Sequence, residues 1–154
     1  MFTGKSTSCV SRLITLMAAT LLIAAATRPA FADDTTKDEE KILGAWTVIS
    51  FAEGGQKAPE AALQDMTVTF TADGKMTTKR GEQEETSTFK LDPSKKIKEI
   101  DGTNAQGKTA NGIYKLEGDS LTICFARAAG DRPTEFASPD GTKIVLTVLK
   151  RVQK

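Results

Sequence analysis

The stretch with the most obvious chemical spacing is Gly102-Thr103-Asn104-Ala105-Gln106-Gly107-Lys108-Thr109, which matches the phosphate-loop pattern G-x-x-x-x-G-K-[ST] at every position. Such a loop holds phosphate because its N–H groups lead into the positive end of a helix. Here Asn111-Gly112 follows almost at once, and Ile113 to Leu116 alternates like a strand. The context therefore predicts a glycine-containing loop between two strands. Cys124 lies between Ile123 and Phe125. A reactive thiol needs an electropositive, partly exposed setting, so this cysteine reads as a small buried hydrophobe. Carboxylates are plentiful, and two across a cleft can hydrolyse a glycoside. Asp119, Asp131 and Asp140 already have a structural reason as turn residues, and Glu82-Gln83-Glu84-Glu85 reads as a solvated hairpin tip. Calcium at the 101–109 loop fails the usual ligand spacing. The chain contains no histidine, which removes Ser-His-Asp and Cys-His catalysis and the usual zinc sites. No catalytic residue, cofactor or metal ligand is assigned, and a non-enzyme is expected. Arg132, Pro133 and Phe136 form a candidate mouth cluster that would meet an anionic ligand. The favoured reading of these three is a loop packed by Phe136, with Arg132 capping carbonyls.

The chain that must position these residues begins with a different kind of segment. Lys5 and Arg12 precede an uncharged apolar run from Leu13 to Ala26, and Ala30-Phe31-Ala32 supplies small residues at the positions a signal peptidase reads. This is the pattern of a secretory signal, expected over residues 1–32 with cleavage after Ala32. The run stops at Thr27-Arg28-Pro29, short of the roughly 20 apolar residues of a spanning helix. Residues 33–42 read as a polar leader. Within it Thr36 and Glu39 have capping-box spacing for a helical turn through Leu43. The domain is expected over 43–154, exported to the periplasm or outside the cell. Removing Lys5, Arg12 and Arg28 from 21 basic residues against 20 acidic ones leaves a slight negative charge. Nucleic acid is not an expected partner, since it demands a basic face. Cys9 leaves with the signal, so Cys124 has no internal disulfide partner and the fold must rest on its core.

From Gly44 onward the chain reads as short strands between turns. Met66, Val68 and Phe70 share one face of an alternating run, with threonines on the other. Asp73-Gly74 and Glu117-Gly118-Asp119 mark hairpins. Pro59 to Gln64 suggests a helical turn with proline at its start. Further strands are expected at Trp46–Phe51, Lys75–Arg80, Thr86–Leu91, Lys96–Ile100, Gly112–Leu116, Leu121–Phe125 and Lys143–Val152. About eight strands at roughly 8–12-residue spacing indicate an all-β sandwich or barrel, and closure into an up-and-down barrel hides the sheet edges.

Leu43-Gly44-Ala45-Trp46 is similar to the G-x-W entry of a lipocalin-type barrel. The Phe89-Lys90-Leu91-Asp92-Pro93 and Ile97-Lys98-Glu99-Ile100-Asp101 stretches add to it, as do Gly112 to Cys124, Arg132-Pro133-Thr134-Glu135-Phe136 and Leu149-Lys150-Arg151. Together they resemble the lipocalin-like domain of unknown function that is abundant in planctomycete bacteria, over nearly the whole of residues 43–154. Ile97 departs from the proline usual there. The resemblance implies an exported, lipocalin-like antiparallel barrel and no particular activity. It also implies barrel closure by Gly44, Trp46 and Arg151, with the guanidinium over the indole. The expected function is binding of a small apolar ligand within the barrel. The alternative is a cell-envelope protein–protein interaction module with no small ligand. A monomer is expected. The apolar set Val48, Phe70, Phe89, Ile113, Leu121, Ile123, Ile144 and Leu146 is the candidate lining, although the pattern does not say which face of each strand points inward.

Overall fold

A sheet with two free edges must protect both, and this one does so by joining them. The computed structural model describes residues 32–127 and 130–153. Helix α1 (Ala32–Ile42) leads into β1 (Gly44–Glu53), followed by a two-residue strand β2 (Gln56–Lys57) and a 3-10 turn at Glu60–Ala62. Then come β3 (Met66–Phe70), β4 (Lys75–Arg80), β5 (Gln83–Asp92), β6 (Glu99–Thr103), β7 (Thr109–Glu117), β8 (Ser120–Ala126) and β9 (Ile144–Arg151). From β3 onward every strand pairs antiparallel with the next. β1 pairs with both β3 and β9, so eight strands close into an up-and-down barrel, and β2 pairs only with the end of β1, at Ala52 and Glu53. The seam is tight, running from Trp46↔Arg151 to Glu53↔Val145.

Pairing register fixes the inner face. Met66, Val68 and Phe70 point inward as their alternation predicts, all buried. Opposite them stand Arg80, Thr78 and Met76 of β4, so these three share the inner face. Continuing round, Glu85, Phe89 and Leu91 of β5, Ile100 of β6, Tyr114 of β7, Leu121 and Ile123 of β8 and Leu149 of β9 keep the same side. Val48, Phe70, Phe89, Leu121 and Ile123 from the candidate lining therefore face inward or pack on the core. Ile113, Ile144 and Leu146 do not. Their partners Cys124, Ala126 and Cys124 lie on the outer wall. They are apolar because a second layer, the 130–139 loop, covers that wall: Pro133 is buried and Cys124 Sγ donates to the Ala137 carbonyl at 3.4 Å.

A β-bulge between Val48 and Ser50 inserts Ile49, half exposed, and changes the parity of β1. Val48 and Phe51, three apart, can then both face inward. No other described strand has an irregularity of this kind in its pairing.

Three boundaries differ from the sequence reading. Thr36 is an interior residue of α1 and not its cap, because residues 32–42 hold no Gly or Pro to stop the helix. Gln83 to Glu85 belong to β5, and the hairpin tip is Gly81-Glu82 alone. Lys96 to Lys98 lie in a turn, with β6 starting at Glu99. The expected signal segment lies outside the described residues, Ala32 apart. No helix among the described residues is long and apolar enough to cross a membrane.

Candidate functional site

The two ends of the barrel are built from different side chains. At one end lie the β3–β4, β5–β6 and β7–β8 turns with Gly44 and Arg151; here the interior is filled. Ile42, Trp46, Phe70, Ile100, Tyr114 and Leu121 are at most 1% exposed. Phe70 and Phe89 meet edge to face, 5.1 Å between centroids, the arrangement their ring quadrupoles prefer.

Helix α1 is the plug of this end. Asp38 and Ile42, four residues apart and so on one helical face, are its buried side chains from Lys37 onward. Ile42 joins the apolar core. Asp38 accepts from Tyr114 Oη at 2.9 Å and from Lys98 Nζ at 2.6 Å. A carboxylate this buried is tolerable only because a cation and a donor satisfy it. Burial first, and then the bond to Asp38, push the Tyr114 hydroxyl above the ordinary phenol range.

The carbonyls at the helix C-terminus have no intrahelical partners and need others. Trp46 Nε1 donates to Ile42 O at 2.8 Å. Arg151 Nη1 donates to Leu43 O at 2.9 Å, and Nη2 to Lys41 O. The same guanidinium lies 4.2 Å from the Trp46 ring centroid and 3.5 Å, through Nε, from Asp119. The structure thus brings Gly44, Trp46 and Arg151 together. Gly44 has φ +110°, a region that side chains avoid, and a Cβ there would stand 3.6 Å from Arg151 Nη1. The glycine lets the chain turn from helix into strand directly beneath the guanidinium.

The opposite end is open. Its rim is made by residues 53–66, the 80–83 turn, the 104–108 loop and Arg127. A cavity of about 660 Å³ enters here, with Val48, Phe51, Val68, Ile123 and Leu149 as its apolar floor and wall. Thr78, Arg80, Gln83, Glu85, Arg127 and Thr147 supply the polar part. A second depression, sharing Met76, Thr78, Glu85, Phe125 and Arg127 with the first, extends it toward Asn104 and Lys108. Gly112 makes room for Phe125 in this wall: a Cβ would sit 2.5 Å from the ring. Trp46 does not line the cavity; it lies beneath the floor, next but one to Val48.

The phosphate-loop lookalike falls at this rim. Asn104 Oδ1 accepts from the N–H of Gln106 at 3.1 Å and of Lys108 at 2.9 Å, and Gly107 N–H donates to Asn104 O. Its amides are turned inward onto Asn104, and β7 follows at Thr109 in place of a helix.

Arg132, Pro133 and Phe136 sit on the loop that covers the outer wall. Arg132 Nη1 donates to Gly112 O at 2.5 Å and stands 2.7 Å from Asp101 Oδ1, with Nε 3.4 Å from Glu99. Pro133 is buried and Phe136 half-buried. Among the described residues none of these three lines the cavity. Cys124, beneath the same loop, is fully buried, and burial raises its thiol above the usual range.

Sequence reasoning gave Asp38, Arg80 and Glu85 no functional role. The first was hidden in an acidic leader, where the i,i+4 spacing to Ile42 was the available signal. Arg80 read as the end of a strand and Glu85 as part of a solvated hairpin tip.

Fold and site together define a single-layer closed barrel, plugged by a helix at one end and hollow at the other. No protein-family model and no curated protein matches the chain. Among solved structures it is similar to a DUF4847 family protein from Bacteroides vulgatus, with 15% identity and a TM-score of 0.45, over 77% of this chain and 99% of that one.

Proposed function

We propose that this barrel binds one small, mostly apolar molecule in its open end. The observation that carries the reading is the cavity of about 660 Å³, within the range of small-molecule sites, where apolar walls and a few polar groups are usual. Barrels of this strand number either fill their interior or keep room for one ligand. Here the helix-plugged half is filled and the other half is not. The filled half gives the walls rigidity, which lowers the cost of ordering them around a guest. The signal-like start of the chain supports carriage outside the cytoplasm.

Native mass spectrometry of the purified protein tests it, with 1-anilinonaphthalene-8-sulfonate as added probe. The expected result is uptake of one probe per chain, lost in Thr147→Trp, which fills the cavity from β9, while far-ultraviolet circular dichroism is unchanged. Uptake that survives the filled cavity would overturn the assignment, and so would a wild-type chain that takes up nothing.

A further inference from the structure

The charges of the open end are unevenly satisfied, and that unevenness describes a guest. Arg127 is neutralised: its Nε lies 3.1 Å from Glu53. Glu84 also borders the cavity, but by register it alternates to the outer face, opposite Lys79. Arg80 and Glu85 differ. Both are inner-face residues by register, opposite Met66 and Thr78 respectively, and both line the cavity. Arg80 finds only the Met66 thioether, Nη2 to Sδ 3.6 Å, a weak acceptor for a guanidinium. Neither residue has a charged partner within 4 Å among the described residues. The inner face above the apolar floor therefore presents one cation and one anion, each without an ion pair among the described residues.

Resting on the ligand-carrier reading, we infer that the guest is a single-chain amphiphile with a zwitterionic head. Its tail lies on Val48, Val68, Ile123 and Leu149, its anionic group meets Arg80 and its cationic group meets Glu85. Seating a guest strips water from both side chains, and a charge stripped of water must be paired or it penalises binding. A neutral head leaves both unpaired. A purely anionic head satisfies Arg80 and faces Glu85 as a like charge; a purely cationic head does the reverse. Thr78 and Gln83 add neutral hydrogen-bonding groups beside the two charges.

Four probes with one dodecyl tail separate the head from the cavity: N-dodecyl-N,N-dimethylglycine, dodecanoate, dodecyltrimethylammonium and dodecyl maltoside, each titrated calorimetrically below its micelle concentration. The glycine betaine is expected to bind about tenfold more tightly than the maltoside, the scale of one charge-assisted bond. Arg80→Gln should weaken the betaine and dodecanoate by a similar factor and strengthen the cationic probe. Glu85→Gln should weaken the betaine and the cationic probe and strengthen dodecanoate, which then no longer faces a like charge. Both side chains are exposed on strand ends, so the variants keep their fold, checked by circular dichroism. Equal affinity for all four heads, or a preference that neither variant alters, overturns the zwitterion and leaves the carrier reading standing. Tightest binding by dodecanoate, insensitive to Glu85→Gln, also overturns it. Failure of every tail to bind removes the carrier reading and this inference together.

Discussion

Arg151 does three jobs with one planar group. It donates to the Lys41 carbonyl of α1 and to that of Leu43 just beyond it, lies over the Trp46 indole and reaches toward Asp119. A lysine supplies a charge but no fork, so it can replace at most one of these contacts. Arg151→Gln is expected to destabilise the protein by about 2–4 kcal/mol, combining a cation–π contact of about 0.5–2 kcal/mol with lost charge-assisted bonds. Arg151→Lys should recover less than half of that. Urea unfolding measures the cost, and a red shift of Trp46 emission in the folded variant reports water entering the plugged end. Little change in either would mean the helix holds the barrel end without its clamp. Tyr114, the only tyrosine, gives the same end a pH signature. Its folded-state pKa is raised above the ordinary value of 10.0, chiefly by burial. Its contribution is therefore complete below that value and is lost as pH climbs beyond it, because the unfolded chain can ionise and the folded one cannot. Tyr114→Phe should be less stable at neutral pH by about 1–2 kcal/mol, since Asp38 loses a donor, but should lose less stability above pH 10. Tyrosinate absorbance in the wild type should appear only together with unfolding. Its appearance in a folded chain would contradict the buried bond to Asp38.

At the scale of elements, two pieces that are not strands make the barrel what it is: helix α1 as plug and the 130–139 loop as outer cover. The cover accounts for the burial of Cys124 and for its raised thiol pKa. Arg132 is the main tie of that loop, through Gly112 O, Asp101 and Glu99. Arg132→Ala in a Cys9→Ser background should raise the labelling rate of Cys124 by a thiol reagent by about tenfold or more, since local opening follows the few contacts that hold a loop. The thermal midpoint should move by only a few degrees. Unchanged labelling would show that Pro133 and Phe136 hold the loop without it. The strands themselves were legible where one face meets the core and the other meets water, as in Met66-Thr67-Val68-Thr69-Phe70. They became illegible where that condition failed. Ile113, Ile144 and Leu146 are apolar for the cover's sake, so alternation gave no sign of which side was inner. Ile49 breaks the parity of β1, and a bulge has no hydrophobic signature of its own. Gln83 and Glu85 line an open end that water also fills, so their polarity pointed to a loop. The closure residues Gly44, Trp46 and Arg151 could be proposed from resemblance. The partner residue Asp38 could not, because a charge belongs in a solvated leader unless a tertiary contact claims it.

The whole molecule depends on one seam. With β1 paired to β9, the buried inner residues of both sides of the seam form one continuous core with Ile42 of the plug. A side chain on the seam should therefore be felt everywhere, and its effect should depend on which way it points. Leu149 and Leu146 are the same residue type on the same strand, three positions apart. Leu149 is 1% exposed, faces inward and stands opposite Leu121 and Val48. Leu146 is half-buried on the outer wall, opposite Cys124 and Ala52. Truncating the first removes buried apolar contacts at the cavity floor, whereas truncating the second opens onto a surface that can relax or hydrate. Leu149→Ala is expected to cost about 2–5 kcal/mol and Leu146→Ala about 1 kcal/mol. In both, Trp46 fluorescence and far-ultraviolet circular dichroism should report one shared urea transition, as expected of a small cooperative domain. Equal costs would mean the inner face of β9 is wrongly assigned. Two separate transitions would mean the plugged end survives when the open end melts, in which case the barrel is held by its helix more than by its seam.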